Sequence, residues 1–463
     1  MRWRRRWKKR FIRDEQLHHR GTEPTENNNI LFFLCELFAS VVNQTSGRCL
    51  WTTNTRPFSP DASSLPERVD VAIVGGGYTG LAAARALARH GADVVLLERH
   101  TIGWGASGRN AGFVLPGYQA DVEALARRYG LATARRLFQT SLQAVEHLEN
   151  LIAAEGINCD YARCGALTLA AKPSHLRQLE QSHRFLRDQL SYDTALLRPC
   201  ELTGEIGSSR YLGALLDRGG GALHPGRYCL GLAAAAEGAG ARLLEGVEVG
   251  GILRQAGRFE LATARGALSA AEVLVATNGY TGPAFGRLRR GVVPIGSYLI
   301  ATAPLGASLG ERLLPRDRVA SDTRHLLSYF RLSPDRRMVF GGRASFTPTS
   351  TRRSAEILTR AMCRVFPELA GVPVEFAWAG KVAFTMDHLP HAGRLDGIHY
   401  ALGYCGHGVA LSTWLGERMG DALAGRAPVP DLGGPLAAIP LYRGTPWFLP
   451  LVGAYYRARD WLE

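Results

Sequence analysis

Residues 70–98, DVAIVGGGYTGLAAARALARHGADVVLLE, restrict the fold of this chain more than any other stretch. The run Val69, Val71, Ile73 and Val74 has the composition of a buried parallel strand. Gly75, Gly77 and Gly80 follow in G-x-G-x-x-G spacing, then an Ala/Leu-rich helix ended by Gly91, then a second apolar run closed by Glu98. In such a unit the first glycine permits the tight turn and the second lets the backbone approach a pyrophosphate. The third lets helix and strand pack closely. The helix N-terminus presents N–H groups and a positive dipole end to phosphates. An acid at the tip of the second strand accepts ribose hydroxyls and disfavours a 2′-phosphate. The stretch predicts a dinucleotide site and does not choose between FAD and NAD.

The bulk of the chain is that of a globular enzyme of two or three domains: 463 residues, 46% hydrophobic and 21% charged. The formal charge of +14 resembles a nucleic-acid signal until it is located. The first 20 residues carry nine Arg/Lys against Asp14 and Glu15, half of that total, and the rest forms no stripe. No nucleic-acid partner is expected. Eight scattered cysteines without C-x-x-C suggest neither a zinc site nor a disulfide framework, so a reducing compartment, the cytoplasm, is expected and no metal. The apolar run at 30–42 contains Glu36 and is too short to span a bilayer. Three readings fit residues 1–64: a disordered basic arm with a short helix, a membrane-surface anchor, or residues preceding the true start of translation. Membrane contact is expected only through this arm, and the compact fold from near Leu65.

Past Glu98, Gly103, Gly105, Gly108 and Gly112 alternate with Ser107, Arg109 and Asn110, as in a loop wrapping a ligand. Residues 121–155 read as one helix carrying Leu137, Ser141, Val145 and Leu148 on a face. His224, beside Pro225 at a helix start, reads as a turn residue before it reads as a functional one. Residues 250–276 read as a hairpin whose last strand leads to Asn278 and Gly279, a second close approach to the nucleotide. Between 291 and 387 strand-like pieces alternate polar and apolar residues, as in an antiparallel sheet with one open face. Near the end, GYCGHG opens another helix, so Gly406, His407 and Gly408 form a second glycine turn aimed at an electron-rich ligand edge.

DVAIVGGGYTG…LLE, GASGRNAG, VATNGYTG, YFRLSPDRRMVFGGR, WAGKVAFTMDHLPHAGR and GYCGHGVALSTWLGE, in this order, resemble the FAD-dependent D-amino-acid oxidase superfamily, most of all its γ-glutamylputrescine oxidoreductase branch. The resemblance implies an α/β fold: a Rossmann-like FAD-binding domain (65–158, 205–290 and 392–427) with an inserted antiparallel-sheet substrate domain (159–204 and 291–391) and a C-terminal tail (428–463). It implies removal of a hydride equivalent from a C–N carbon of a small-molecule amine, with O2 or an electron carrier reoxidising the flavin. Amino-acid-oxidising members carry W-x-G-x-R-P, whose arginine grips the substrate carboxylate. Counted from Trp378 and Gly380, that position here is Val382. Sarcosine-oxidase-like members bind flavin through a cysteine in this region, and none stands between Cys363 and Cys405, so FAD is expected to be non-covalent.

On this reading Gly75, Gly77, Gly80 and Glu98 hold the ADP half, and Arg109, Asn110, Gly279, Gly406, His407 and Gly408 border the flavin. Tyr298, Tyr329, Arg331, Trp378 and Lys381 are the candidates for the substrate face, and no general base is assigned. An amine oxidase of polyamine type is the leading reading. The alternatives are an amine or amino-acid dehydrogenase passing electrons to a quinone or carrier, and a flavin-binding protein without catalysis.

Overall fold

The computed structural model describes residues 47–462 apart from 54, 56, 61–63 and 343–348, so the apolar run at 30–42 lies outside the described residues. The first element is helix α1 (Leu50–Thr53). Strand β1 (Arg68–Val74), helix α2 (Tyr78–Arg89) and β2 (Val94–Leu97) make the βαβ unit. After β3 (Phe113–Val114) the long helical segment breaks into α3 (Val122–Tyr129) and α4 (Leu131–Ala154). The expected single helix is interrupted because Gly130 takes φ +84°, a conformation that ends one helix and lets the next start at an angle. Next come β4 (Ala166–Leu169), α5 (Pro173–Leu190), β5 (Thr194–Leu197), β6 (Ala214–Asp217), β7 (Gly221–Ala222), α6 (Pro225–Gly238) and β8 (Arg242–Leu244).

The expected hairpin at 250–276 is a three-stranded meander, β9 (Val249–Gln255), β10 (Arg258–Thr263) and β11 (Gly266–Val275). Strands β12 (Val293–Thr302), β13 (Val319–Asp322), β14 (Ser328–Leu332), β15 (Met338–Gly342) and β16 (Val374–Phe384) follow, with α7 (Thr351–Val365) ahead of the last. The chain ends in β17 (His391–Leu395), β18 (Ile398–Leu402), α8 (Gly408–Leu423) and α9 (Leu449–Leu462).

Two large sheets result. The first runs β17-β18-β11-β1-β2-β8, parallel from β18 to β8, with β10 and β9 of the meander branching from the first half of β11. Its central strands are apolar on both faces because helices α2, α6 and α8 cover one side and the β9–β10 layer the other. The second runs β16-β12-β15-β14-β13-β4-β6-β5 and is antiparallel except between β13 and β4. Helix α7 packs its Leu358 and Met362 against this sheet.

Two boundaries differ from those read in the sequence. Strand β6 lies within 205–290, expected wholly with the nucleotide domain, yet it pairs with β4 and β5 in the second sheet. Its apolar residues complete that sheet's face, a choice of partner that alternation alone does not fix. The compact fold also begins earlier than Leu65. Cys49, Leu50 and Trp51 are buried against Leu299, Val339 and Trp378 of the second sheet. The Trp51 ring meets those of Trp378 and His224 edge-on, at 6.3 and 4.9 Å. Among the described residues no helix is long and apolar enough to cross a membrane.

Candidate active site

A cavity of about 400 Å³ opens at the carboxyl ends of β1, β2 and β11 and extends to β16 and the start of α8. Gly75, Gly76 and Gly77 line it at one end, and Gly406 and Gly408 at another. Helix α2 starts at Gly77, which has no side chain to cap it. The hydroxyl of Ser107 accepts from the N–H of Tyr78 at 3.0 Å and fixes the wrapping loop to this turn. Gly80 does not line the cavity. A Cβ there would stand 2.0 Å from the Gly75 carbonyl oxygen, so it is the close-packing glycine of the motif. The same closeness recurs between α2 and α8, where a Cβ on Gly416 would meet the Thr79 carbonyl oxygen at 2.3 Å. That contact brings both glycine turns to one cavity.

Glu98 lines the cavity at the tip of β2, with Oε2 accepting from the Gly76 N–H and Oε1 from the His100 N–H, both at 2.8 Å. A carboxylate oxygen accepts two hydrogen bonds, so each keeps a direction open for a ribose hydroxyl. Asn110 also lines the cavity and ties its own loop. Its amide donates to the Tyr78 hydroxyl at 3.2 Å and its carbonyl accepts from the Gly112 N–H at 2.7 Å. Arg109 donates to the carbonyls of Trp104 and Ala379 and lies 4.9 Å from the Trp104 ring centroid, bridging the loop to the edge of β16. Gly279 stands behind the wall, where a Cβ would come within 3.3 Å of Lys381.

The five substrate-face candidates separate. Lys381 is at the cavity, its ammonium 5.4 Å from the Tyr280 ring centroid. Tyr329 is half-buried, shares a hydrogen bond of 2.8 Å with Ser297 and meets Phe113 edge-on. Tyr298 does not line the cavity and packs into the core under α7. Trp378 is buried, donating its indole N–H to the Arg109 carbonyl at 2.9 Å. Arg331 is buried as well. Its guanidinium donates to the carbonyl of Leu223 at 2.9 Å and more weakly to Ala111 and Gly112, under the Trp51 ring. Burial pushes its pKa down to about 10 without discharging it. It anchors the cavity loop from below and does not face a substrate. His224 likewise caps α6, its Nδ1 accepting from the Arg227 N–H.

Three lining or bordering residues were not singled out in the sequence. Tyr280 and Trp104 both line the cavity, with ring centroids 5.7 Å apart. A Cβ on Gly406 would lie 3.9 Å from the Gln119 amide oxygen and 4.0 Å from Val382 Cγ1, so Gln119 and Val382 flank that turn. Tyr280 sat within the VATNGYTG segment and could have been read there, whereas nothing local to Gln119 marks it.

A family profile described as FAD dependent oxidoreductase matches residues 70–422. The chain belongs to this family. Among curated relatives, the γ-glutamylputrescine oxidoreductase of Escherichia coli (strain K12) is 34% identical over 396 residues, covering 84% of this chain and 92% of that protein. A probable oxidoreductase OrdL of Haemophilus influenzae is 33% identical over 365 residues, 78% of this chain and 84% of that protein. Among solved structures, glycine oxidase from Geobacillus kaustophilus superposes with a TM-score of 0.68 at 22% identity, covering 81% of this chain and all of that one. Its likeness extends to the fold: a parallel nucleotide sheet joined to a second, largely antiparallel one.

The family's FAD fits the residues present. Two helix N-termini converge on the cavity, at Gly77 and at His407, and neither N-cap residue caps its helix with its own side chain. His407, between two glycines that line the cavity, does not line it itself; its Nδ1 is buried and has no partner within the protein. Burial pushes the His407 pKa down to about 4, so its ring is a neutral donor or acceptor.

His224 is driven down to about 4 by burial and by the Arg227 charge, and burial also lowers His147 and His399. His391 moves the other way, raised by its Asp387 partner. For the depressed group the unfolded chain binds the proton that the folded one refuses. Stability is therefore complete above about pH 6.5 and is lost as pH falls toward 4. His224 alone accounts for roughly 3 kcal/mol across that window. Thermal unfolding followed from pH 7.5 to 4 is expected to show a steep loss below pH 6.5, and His224→Asn, which keeps a cap acceptor, to flatten it.

Proposed function

We propose that this FAD-dependent oxidoreductase oxidises the C–N bond of an amine lacking an α-carboxylate at the reacting carbon, of polyamine or γ-glutamylputrescine-like type. FAD, held by the residues below, would supply the acceptor for the hydride equivalent of the amine's C–H bond. The amine carbon becomes an imine, water hydrolyses it to an aldehyde and releases the nitrogen, and O2 takes the two electrons and two protons to give H2O2. Gly75, Gly77 and Glu98 would hold the ADP half, with Gly80 packing α2 against the turn behind them. Arg109, Asn110, Gly406, His407 and Gly408 fix the loops and the neutral imidazole around the flavin.

Val382 carries the reading. It lines the cavity, and in the W-x-G-x-R-P pattern that the resemblance implies for amino-acid-oxidising members it stands in the place of the arginine. The neighbouring Arg109 is engaged by carbonyls, Gln119 beside the Gly406 turn is uncharged, and Lys381, a cation that lines the cavity, rests against the Tyr280 ring. The acids among the described lining residues, Glu98 and Glu248, belong to the β2 side, so none is placed as a base for the ammonium. The substrate then enters as the free amine. Attachment of FAD remains non-covalent because the Cys405 thiol is buried, hydrogen-bonded to the Gly403 carbonyl and Thr385, and held neutral with a pKa of about 11.

Anaerobic mixing with a panel of diamines, acylated diamines, glycine and D-amino acids tests this directly. The flavin absorbance should bleach with amines and stay unchanged with glycine and D-alanine. Bleaching by amino acids alone overturns the reading, and quinone reduction without H2O2 release on readmitting air would replace the oxidase by a dehydrogenase.

A further inference from the structure

Strand β11 lies between β18 and β1, and each neighbour runs into one of the two glycine turns that line the cavity. The turn that ends β11 is therefore the piece between them. On one side the Ala276 N–H donates to the Val74 carbonyl at 2.9 Å, and Ala276 and Thr277 supply the backbone that a Cβ on Gly75 would strike. On the other side β11 and β18 pair at Leu274–His399 and Val275–Tyr400, where the ladder stops. Counted on in that register, position 278 faces 403. There a side chain continues the pairing: Asn278 Oδ1 accepts from the Gly403 N–H at 2.9 Å. Asn278 holds φ +45°, a left-handed conformation that asparagine tolerates better than most residues. The turn is tied at two further points. The Thr277 and Thr281 hydroxyls share a hydrogen bond of 2.8 Å, and the Tyr280 hydroxyl accepts from the Lys381 N–H of β16 at 3.0 Å.

This arrangement fixes which way the carboxamide faces. A backbone N–H can only donate, so the atom opposite Gly403 is the oxygen, and Nδ2 with its two hydrogens is turned away from it. Asn278 lines the cavity, and among the described residues Nδ2 finds no acceptor. We propose that Asn278 Nδ2 donates a hydrogen bond to bound FAD, on the stretch of the cofactor between the two glycine turns, while Oδ1 ties the second turn to the first through β11. The acceptor belongs to FAD and not to the amine, because Asn278 follows directly on Thr277, which packs on the Gly75 turn. The proposal rests on the reading that FAD spans both turns, and it is independent of the choice of amine.

Asn278→Asp separates the two ends of the carboxamide. It keeps an oxygen for Gly403 and tolerates the same φ, but it replaces the donor by a charged acceptor facing an electron-rich cofactor. FAD is expected to bind at least about tenfold more weakly, read from the fluorescence of flavin released on dilution of the full-length holoenzyme. The thermal midpoint of the same chain stripped of flavin is expected to stay that of the wild type. Asn278→Gly accepts φ +45° without strain but has no side chain, so it should lose flavin affinity and also lower the stripped midpoint. If it does not fold, Asn278→Asp decides alone. Wild-type flavin affinity in Asn278→Asp overturns the donor, and a lowered stripped midpoint in it overturns the tie to Gly403. Gly75→Ala, measured alongside, separates this proposal from the reading beneath it. If Gly75→Ala sheds FAD while Asn278→Asp keeps it, the proposal falls and the cofactor site stands; if both keep FAD, both fall.

Discussion

Gly75→Ala is expected to yield a folded but colourless protein, with flavin affinity reduced by about a hundredfold or more. Gly75 sits at φ +113°, where an L-residue costs roughly 1–3 kcal/mol. Its added Cβ would stand 2.9 Å from the Ala276 carbonyl oxygen, 3.1 Å from the carbonyl carbon and 3.3 Å from the Thr277 nitrogen. All three are backbone atoms at the end of β11, so no side-chain rotation gives relief. The strain must be released by parting β1 from β11 where Val74 pairs with Val275, and this is the turn that has to meet the pyrophosphate. A loss of 2.7 kcal/mol corresponds to about a hundredfold in affinity. The flavin-to-protein absorbance ratio and a titration with added FAD measure the effect. Gly286→Ala is the control, since its Cβ has open space and its φ is ordinary. Stoichiometric flavin in purified Gly75→Ala would remove the βαβ turn from the cofactor site.

The nucleotide half was legible because its signals are local. Gly75, Gly80 and Glu98 lie within one βαβ unit, where Gly80 packs on the Gly75 carbonyl and Glu98 accepts from the Gly76 N–H. The substrate half was not, for two physical reasons. Strand alternation assigns residues to opposite faces but does not say which face meets the cavity, so Tyr298 was grouped with Tyr329 although they point to opposite sides of the sheet. Arg331 was misplaced because its partners are carbonyl groups of 111, 112 and 223, which carry no mark in a sequence. Trp51 was lost among polar and basic residues, and its burial depends on Trp378, more than 300 positions along the chain. Val382 could be found only by aligning a pattern, because a valine on a strand announces nothing by itself.

Val382→Arg is the substitution expected to change specificity most. The side chain lines the cavity, opposes Ile295 in the β12–β16 ladder and approaches the Gly406 turn. A guanidinium there finds no carboxylate among the described lining residues on that side of the cavity. It therefore stays available to an incoming carboxylate, which it can bind through two parallel hydrogen bonds. Against an amine that retains a second, cationic group it is repulsive: two like charges about 5 Å apart at an effective dielectric of about 20 oppose each other by about 3 kcal/mol. That predicts a fall of about a hundredfold or more in kcat/KM for a diamine. Glycine or D-alanine, expected to leave the wild-type flavin unchanged, should begin to bleach it anaerobically in the variant. Val382→Leu changes volume without charge, so a comparable fall there would show that the space matters and the charge does not. Undiminished turnover of diamines by Val382→Arg would place the reacting carbon away from β16, and with it the argument that an absent carboxylate clamp selects amines would fail.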